Sequence, residues 1–541
     1  MLVTVHYLYY FYFQNMIKYI FILMLSLFCI DATAQITFSK RFHFGFRGAV
    51  FTGLEITGDT FAISGIIVDT LPPYKQGSSL AFFDQSGNLL SSKVSVFSDK
   101  TYATWGNVLT EYDNHLYAIG YSLEPEMKGL LIKYNLLGEI VWERALTSFV
   151  EPGTFFRFND FIILNNKLYI TGDNLVHQGQ TYEAAAILVV YNTEGDLLMT
   201  HAYSQPPWSD HSECIVQLNE NTIVLGGERE KVYMQDQNYD FQTQLIGVDT
   251  LGEELWQWQS PADRIQRSAE SMLATPDGGL IVASAIGTEI PVNIETSDIY
   301  WDCYLFKLNS ELEEEWGITL ALGQTNPLHE FKKVIPISDG SGYLVVGVQQ
   351  DSYGNGDPLE ENLTDVGGYI VKVSPEGELL WQRLIIHPDL PTFLELHEIN
   401  DVAETQDGGF IMVGRSADWT GTEAVPSQGW LLKVDEYGCL VPGCHLVSGE
   451  EEVVDNPQPK LLLYPNPVQD VLNVYLGPGA LPEHATLRII DVQGKVHQQR
   501  RAQMADATYL MIVEELSVGT YFLQLVDQGG RVLGVEQFVK S

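Results

Sequence analysis

The sequence predicts an all-β protein in which seven four-stranded sheets in a ring are followed by a small β-sandwich, and three observations carry that prediction. The first is a β-rich run that recurs along the chain and ends in a small residue: FAISG at Gly65, LYAIG at Gly120, LYITG at Gly172, TIVLG at Gly226, LIVAS at Ser284, YLVVG at Gly347 and FIMVG at Gly414. The second is a hairpin signal after each run: DQSGNLL around Gly87, YNLLGEIVW around Gly138, YNTEGDLL around Gly195, DTLGEELW around Gly252, NSELEEEW around Leu312, SPEGELLW around Gly377 and DEYGCL around Gly438. The third is a change of pattern after Lys460, where shorter alternating strands are punctuated by Pro-Asn-Pro and Gly turns.

Taken in order, the chain begins with an export signal over 1–34. Lys18 supplies positive charge, Tyr19 to Ile30 is apolar, and Ala32-Thr33-Ala34 offers small residues, so cleavage is expected after Ala34. The apolar run is short for a bilayer span, which leaves no transmembrane segment in the mature chain. Met1 to Asn15 lacks a basic region, and Met16 is the expected true start.

Residues 35–446 hold the repeats, whose first runs lie 52 to 67 residues apart. Each unit reads as four strands, and a sheet of that kind cannot bury both faces alone, so neighbours stack radially into a seven-bladed β-propeller. Trp142, Trp256, Trp316 and Trp381 each follow the turn by four residues and are expected to pack between blades. Lys133, Lys307, Lys372 and Lys433 recur five residues before the turn and are expected to be paired structural cations. Ile36 to Phe44 is an outer strand without a blade of its own. The seventh unit lacks its outer strand, so the two are expected to join and close the ring.

An acidic, Pro-containing linker occupies 447–460, and 461–541 is the β-sandwich, Ig-like in its strand pattern. The whole chain carries 70 acidic and 30 basic side chains, a formal charge of −40, which excludes a broad basic surface for nucleic acid. Leu461 to Ser541 holds eight acids and six bases, so the excess belongs to the ring. Of five cysteines, Cys29 lies in the signal, Cys214 and Cys303 sit in apolar stretches as buried thiols, and Cys439 and Cys444 bracket a Leu-Val-Pro-Gly turn as a candidate disulfide.

The repeat pattern L-x-K-x-(Asn/Asp)-x-x-G-E-x-x-W resembles that of delta-60 and quinoprotein-type propellers. That resemblance implies the fold; no adjacent cysteines and no S-x-D-x-G-x-T-W box accompany it to imply an activity. The C-terminal region closely resembles the type A sorting domain of the type IX secretion system of Bacteroidota. The matching positions are Tyr464, Pro465, Asn466 and Pro467, then Asp491 with Gly494 and Lys495, then Gly519-Thr520-Tyr521, and the closing Phe538-Val539-Lys540. It implies Sec export to the periplasm, recognition by the type IX machinery, and display on or release from the outer-membrane surface.

Candidate chemistry lies on the face that carries the long second-to-third-strand connections. Asp351, Asn355 and Asp357 in D-S-Y-G-N-G-D are hard oxygen donors around glycines, the composition a Ca²⁺ site uses. His329-Glu330 and His397-Glu398 occupy equivalent positions in adjacent repeats near the channel mouth, where two His and two Glu suit a transition metal or acid–base work. Trp208, Trp301 and Trp419 are candidates for stacking on sugar rings. No cofactor is expected and no catalytic residue is assigned. The expected function is non-enzymatic binding of an extracellular protein or glycan by the long-loop face. The alternatives are a secreted polysaccharide hydrolase or lyase using carboxylates of the same face, and a structural surface-layer component.

Overall fold

The computed structural model describes residues 35–96, 101–123, 127–146, 155–178, 181–204, 208–233, 238–262, 264–291, 297–320, 329–352, 364–387, 395–418, 427–441, 461–476, 485–491, 494–502, 507–526 and 532–541. The expected signal and its cleavage point at Ala34 lie outside them, and Thr37–Ser541 is a structural unit of its own.

The described residues are all-β. β1 spans Phe38–Phe42. The first sheet is β2 (Gly48–Thr57), β3 (Thr60–Val68), β4 (Gln76–Phe83) and β5 (Leu89–Ser95); the second is β6 (Tyr102–Tyr112), β7 (His115–Ser122), β8 (Lys128–Asn135) and β9 (Ile140–Leu146). The third is β10 (Phe155–Leu164), β11 (Lys167–Gln178), β12 (Thr181–Asn192) and β13 (Leu197–Tyr203); the fourth is β14 (Ser209–Asn219), β15 (Thr222–Tyr233), β16 (Asn238–Val248) and β17 (Glu254–Gln259). The fifth is β18 (Ser271–Ala274), β19 (Leu280–Pro291), β20 (Ser297–Leu308) and β21 (Glu314–Leu320); the sixth is β22 (His329–Pro336), β23 (Tyr343–Ser352), β24 (Thr364–Val373) and β25 (Leu379–Ile385). The last meander is β26 (Glu395–Glu404), β27 (Phe410–Asp418) and β28 (Ser427–Val434), completed by β1. Single parallel pairs, Val366↔Leu396 and Gly48↔Ser427, link the sixth, seventh and first sheets edge to edge.

The first strand of each sheet touches the first strands of its two neighbours, and β26 touches β2, so the sheets close on themselves. Apolar side chains fill the seams between consecutive sheets: Leu80 and Phe82 against Leu116 and Ile132, Ile119 against Phe158, Leu188 against Leu225, and so round to Phe51 and Phe83 against Ile411 and Leu431. This explains the sequence pattern. Middle strands such as β3 and β4 are buried on both faces and read as continuous apolar runs, while outer strands such as β5 and β9 keep one side in water.

The turn before each outer strand has one chemistry. Asp84, Asn135, Asn192, Asp249, Asn309, Ser374 and Asp435 each accept the amide protons of residues two and four further on. The position three residues on has positive φ, held by glycine in every case but Leu312, at φ 62°. The recurring tryptophans lie against these turns or within the seams: Trp316 Nε1 donates to Pro375 O at 3.2 Å and its ring covers Gly377, while Trp381 covers Gly438. Lys433 pairs with Asp407, and Lys307 with Asp277 at 2.5 Å and Glu315 at 2.6 Å.

Closure runs through β1. It pairs antiparallel with β28 from Phe38↔Lys433 to Phe42↔Gly429, Trp430 Nε1 donates to Ser39 Oγ at 2.8 Å, and Thr37 Oγ1 donates to Leu440 O at 2.6 Å.

The C-terminal sandwich comprises β29 (Leu461–Tyr464), β30 (Val471–Leu476), β31 (Thr486–Asp491), β32 (Val496–Arg501), β33 (Ala507–Ile512), β34 (Gly519–Val526) and β35 (Val532–Lys540). Its sheets are β29-β30-β33 and β32-β31-β34-β35, packed over Leu472, Val474, Leu487, Ile489, Met511 and Leu523.

Candidate functional site

The recurring glycine on the second strand of the repeat has a structural cause. Five inner strands carry an extra residue opposite it: the pairing skips Thr52, Asn159, Glu213, Lys332 and Asn400 in β2, β10, β14, β22 and β26. The bulge pushes an inner-strand carbonyl against the second strand. A Cβ on Gly172, Gly227, Gly347 or Gly414 would lie 1.8 to 2.0 Å from the carbonyl oxygen of Arg157, His211, Glu330 or Glu398. In the fourth sheet this position is Gly227, paired with Ser212, rather than Gly226. In the fifth, Ser284 Oγ instead donates to Arg267 O at 2.9 Å.

The bulges also set two tiers of charge along the ring axis. Asn159-Asp160 and Asn400-Asp401 occupy equivalent places. Asn159 Nδ2 donates to Ser212 O at 2.9 Å and Asp160 Oδ2 accepts from Ile215 N at 3.0 Å; Asn400 Nδ2 donates to Phe51 O at 2.9 Å and Asp401 Oδ2 accepts from Leu54 N at 2.9 Å. Each pair staples its inner strand to the next. Lys333 of the sixth sheet feels Asp401, Asp160 and Glu55 of the seventh, third and first, and only at the axis do these meet. Burial pushes the Asp401 carboxyl up to about 6, against the pull of Lys333, and Glu55 up to about 7.

The second tier lies on the side of the bulge from which each inner strand enters. Arg157 bridges Asp173 at 2.5 Å and Glu213 at 2.9 Å. Asp173 also accepts the Ser212 amide at 3.0 Å, and His211 lies between Asp173 at 3.7 Å and Glu230 at 3.5 Å. Burial raises Asp173, yet the His211 and Arg157 partners win and hold it down at about 2. Burial works against a charged His211, but hydrogen bonds to Asp173 and Glu230 push it up to about 11. Glu213 shares Arg157 and still moves up, since it is buried beside Asp173 and lacks that donor set. Between the sixth and seventh sheets Lys332 pairs with Glu330 and approaches Glu398 at 3.9 Å, and Glu398 holds Arg415 at 2.7 Å. Burial, then Glu330 and Glu213, push Glu270 well above the carboxylate range; burial takes Glu228 up to about 7.

Ser209 Oγ lies 3.5 Å from His211 Nε2, with Asp173 beyond the ring, the order of a nucleophile, base and orienting acid. Ser209 Oγ also accepts the Ala184 amide at 2.7 Å, and the hydrogen bonds that push His211 up favour its protonated form, which has no lone pair to take a proton.

Of the residues singled out from the sequence, Glu330 and Glu398 are brought together through Lys332. His397 is 1 % exposed and meets Trp430 edge-on at 5.4 Å, because successive strand residues point to opposite sides. His329 opens β22 opposite Gln349, and Asp351 pairs with Asp365; the side chains of His329 and Asp351 lie outside the described set, as do Asn355 and Asp357 altogether. Among the described residues no three His, Cys, Asp or Glu side chains converge as a metal site. Trp301 packs under the Arg267 guanidinium at 4.6 Å and Trp208 under that of Arg229 at 4.8 Å, while Trp419 is outside the described residues. Cys439 is buried and disulfide-bonded, and Cys444 lies outside the described residues. Cys214 and Cys303 are buried free thiols, pushed well up by burial.

The motif positions of the sandwich meet at one end. Asp491 pairs in register with Tyr521, Tyr521 with Phe538, and Gly519 with Lys540. Asp491 also accepts the Lys495 amide at 3.0 Å across the turn at Gly494 and contacts His497 Nε2 at 2.8 Å; Tyr521 donates to Ser517 O at 3.0 Å.

Residues 462–539 match the family described as a secretion system C-terminal sorting domain. No curated protein matches the chain. Solved structures that resemble it include polysaccharide lyase Uly1 (8 % identity, TM-score 0.42, 71 % of this chain and 90 % of that one) and the β-propeller domain of the Trilobed protease from Pyrococcus furiosus (12 %, 0.37, 72 % and 99 %). Cellvibrio cellulosa alpha-L-arabinanase is another (12 %, 0.30, 51 % and 94 %). The C-terminal sandwich is a type IX sorting domain, and it marks the chain for secretion or attachment at the cell surface. Among the described residues no helix is long and apolar enough to cross a membrane.

Proposed function

We propose that 35–446 is a seven-bladed β-propeller that binds an extracellular protein or glycan through its long-loop face and does not convert it. In this reading 1–34 directs Sec export to the periplasm with cleavage after Ala34, 447–460 is a linker, and the type IX machinery of a bacterium of the Bacteroidota delivers the ring to or beyond the outer surface. The observation that carries the binding role is the second charge tier, in which Arg157 is paired with Glu213, His211 is held by Asp173 and Glu230, and Lys332 lies between Glu330 and Glu398. Groups locked in mutual pairs present a preorganised polar surface rather than a proton relay. A Cys439–Cys444 bridge secures the chain just past the closing strand, and Ca²⁺ at Asp351, Asn355 and Asp357 orders the longest loop.

Glu228 and Glu270, both raised by burial, favour a second reading as a polysaccharide hydrolase or lyase with one of them as the acid. The purified secreted chain, incubated with a glycan panel with and without chelator and followed for both binding and released product, separates the two. Saturable binding with no product supports the first; product lost in Glu270→Gln supports the second.

A further inference from the structure

The Tyr464-Pro465-Asn466-Pro467 motif lies along the outer edge of β35, the last strand of its sheet. Pro465 and Pro467 have no N–H to donate, so this segment cannot continue the sheet as a strand. The Asn466 side chain substitutes for it. Its Nδ2 donates to Gln537 O at 3.1 Å and its Oδ1 accepts from Val539 N at 2.8 Å, one donor and one acceptor spaced like those of a peptide unit. Val468 completes the seal, donating to Val539 O at 2.8 Å and accepting from Ser541 N at 2.9 Å. The segment covers the edge as far as Gln537. The same strand then runs back through Val535 and Val532, whose side chains are 50 % and 44 % exposed.

We propose that Pro465–Pro467, hinged between the paired Tyr464 and the fully buried Val468, is a latch on this edge and that, once it lifts, β35 accepts an extended β-strand of the secretion machinery as an added strand. A sorting domain must meet that machinery, and an edge strand with outward valines is the surface on it that main-chain pairing reads. With the latch closed, the open edge is confined to Val532–Glu536; lifting it frees Gln537 O and Val539 N and lengthens the edge that an added strand can pair with. The arrangement also explains why Asn sits between two prolines: the prolines keep the latch from pairing permanently, and the amide holds it by two releasable bonds.

The test uses the full chain as wild type, Asn466→Ala and Asn466→Asp, with hydrogen exchange at the Val539 and Leu523 amides and a labelled peptide VLGVEQFVKS as the strand probe. Asn466→Ala is expected to speed exchange at Val539 about tenfold, leave Leu523 unchanged, and bind the peptide at least about tenfold more tightly than wild type. Asn466→Asp, which keeps the acceptor for Val539 N–H, is expected to hold Val539 exchange near the wild-type rate, and it decides the matter if Asn466→Ala also exposes Leu523. Unchanged exchange in Asn466→Ala, equal peptide affinity, Val539 exchange in Asn466→Asp as fast as in Asn466→Ala, or self-association of Asn466→Ala in place of peptide binding would each overturn the proposal.

Discussion

The Asp401 carboxylate accepts the Leu54 amide proton at 2.9 Å, across the seam where the last sheet of the ring meets the first. The Asp160–Ile215 contact repeats that geometry four sheets away along the chain, so both are parts of one device that ties inner strands together. Asp401→Ala removes the acceptor and leaves a buried N–H unpaired, at a cost of about 2 kcal/mol. Urea unfolding is expected to show that loss, and a similar one for Asp160→Ala.

The same carboxylate makes stability depend on pH. Its folded value, about 6, is above the usual Asp value, so its contribution is full in acid and is lost as pH rises through about 6. Lys333 opposes the shift, and Asp160 and Glu55 face the same space. Asp401→Asn keeps an oxygen for Leu54 N–H and removes the titration. It is expected to flatten the decline in melting temperature between pH 4 and pH 6, a difference on the order of 2 kcal/mol.

Gly414→Ala puts a Cβ 1.8 Å from the Glu398 carbonyl oxygen. The backbone cannot yield there without undoing the bulge, and a loss of about 4 kcal/mol is expected. Gly340→Ala meets nothing within 4 Å and pays only for its positive φ, about 1 kcal/mol. Parallel denaturant titrations of the two variants check the contrast.

His211 is expected to stay protonated through neutral pH, since its value is pushed up to about 11. Its contribution to stability is full below the ordinary histidine value and is lost only as pH rises through about 11. Ring-nitrogen chemical shifts should show an imidazolium from pH 6 to pH 9. A ring that titrates near pH 6.5 would mean that Asp173 and Glu230 do not hold it.

Much of the ring is legible in the sequence because its turns are local chemistry. An Asp, Asn or Ser residue followed three positions on by glycine announces the outer hairpin, and even Leu312 betrays its unit through Asn309 and Trp316. The charge tiers are far less legible. A bulge in β14 and in β22 breaks the alternation by which a strand's faces are read, so Glu213 and Lys332 look like interruptions of a pattern. Arg157, Asp173 and His211 meet only because β10 pairs with β11 and β14 of the next sheet packs against both, which no local motif encodes. The Asn-Asp dipeptide was the available signal: it follows an apolar residue at Asn159 and again at Asn400, in two repeats at the same place. His397 shows the converse, a residue with metal-binding chemistry whose strand parity turns it to Trp430.

Binding without conversion through the charged mouth of the channel is decided by titrating the purified secreted chain with each glycan or protein it retains. Wild type is compared with Glu330→Gln/Glu398→Gln, a variant that removes two carboxylates around Lys332 while leaving the inner-strand staples intact. At least about tenfold weaker binding is expected in the variant, with both proteins folded at the assay temperature and with unchanged ligand recovered from the wild-type mixture. Equal affinities for both proteins, or a cleaved ligand from wild type alone, would rule out that role.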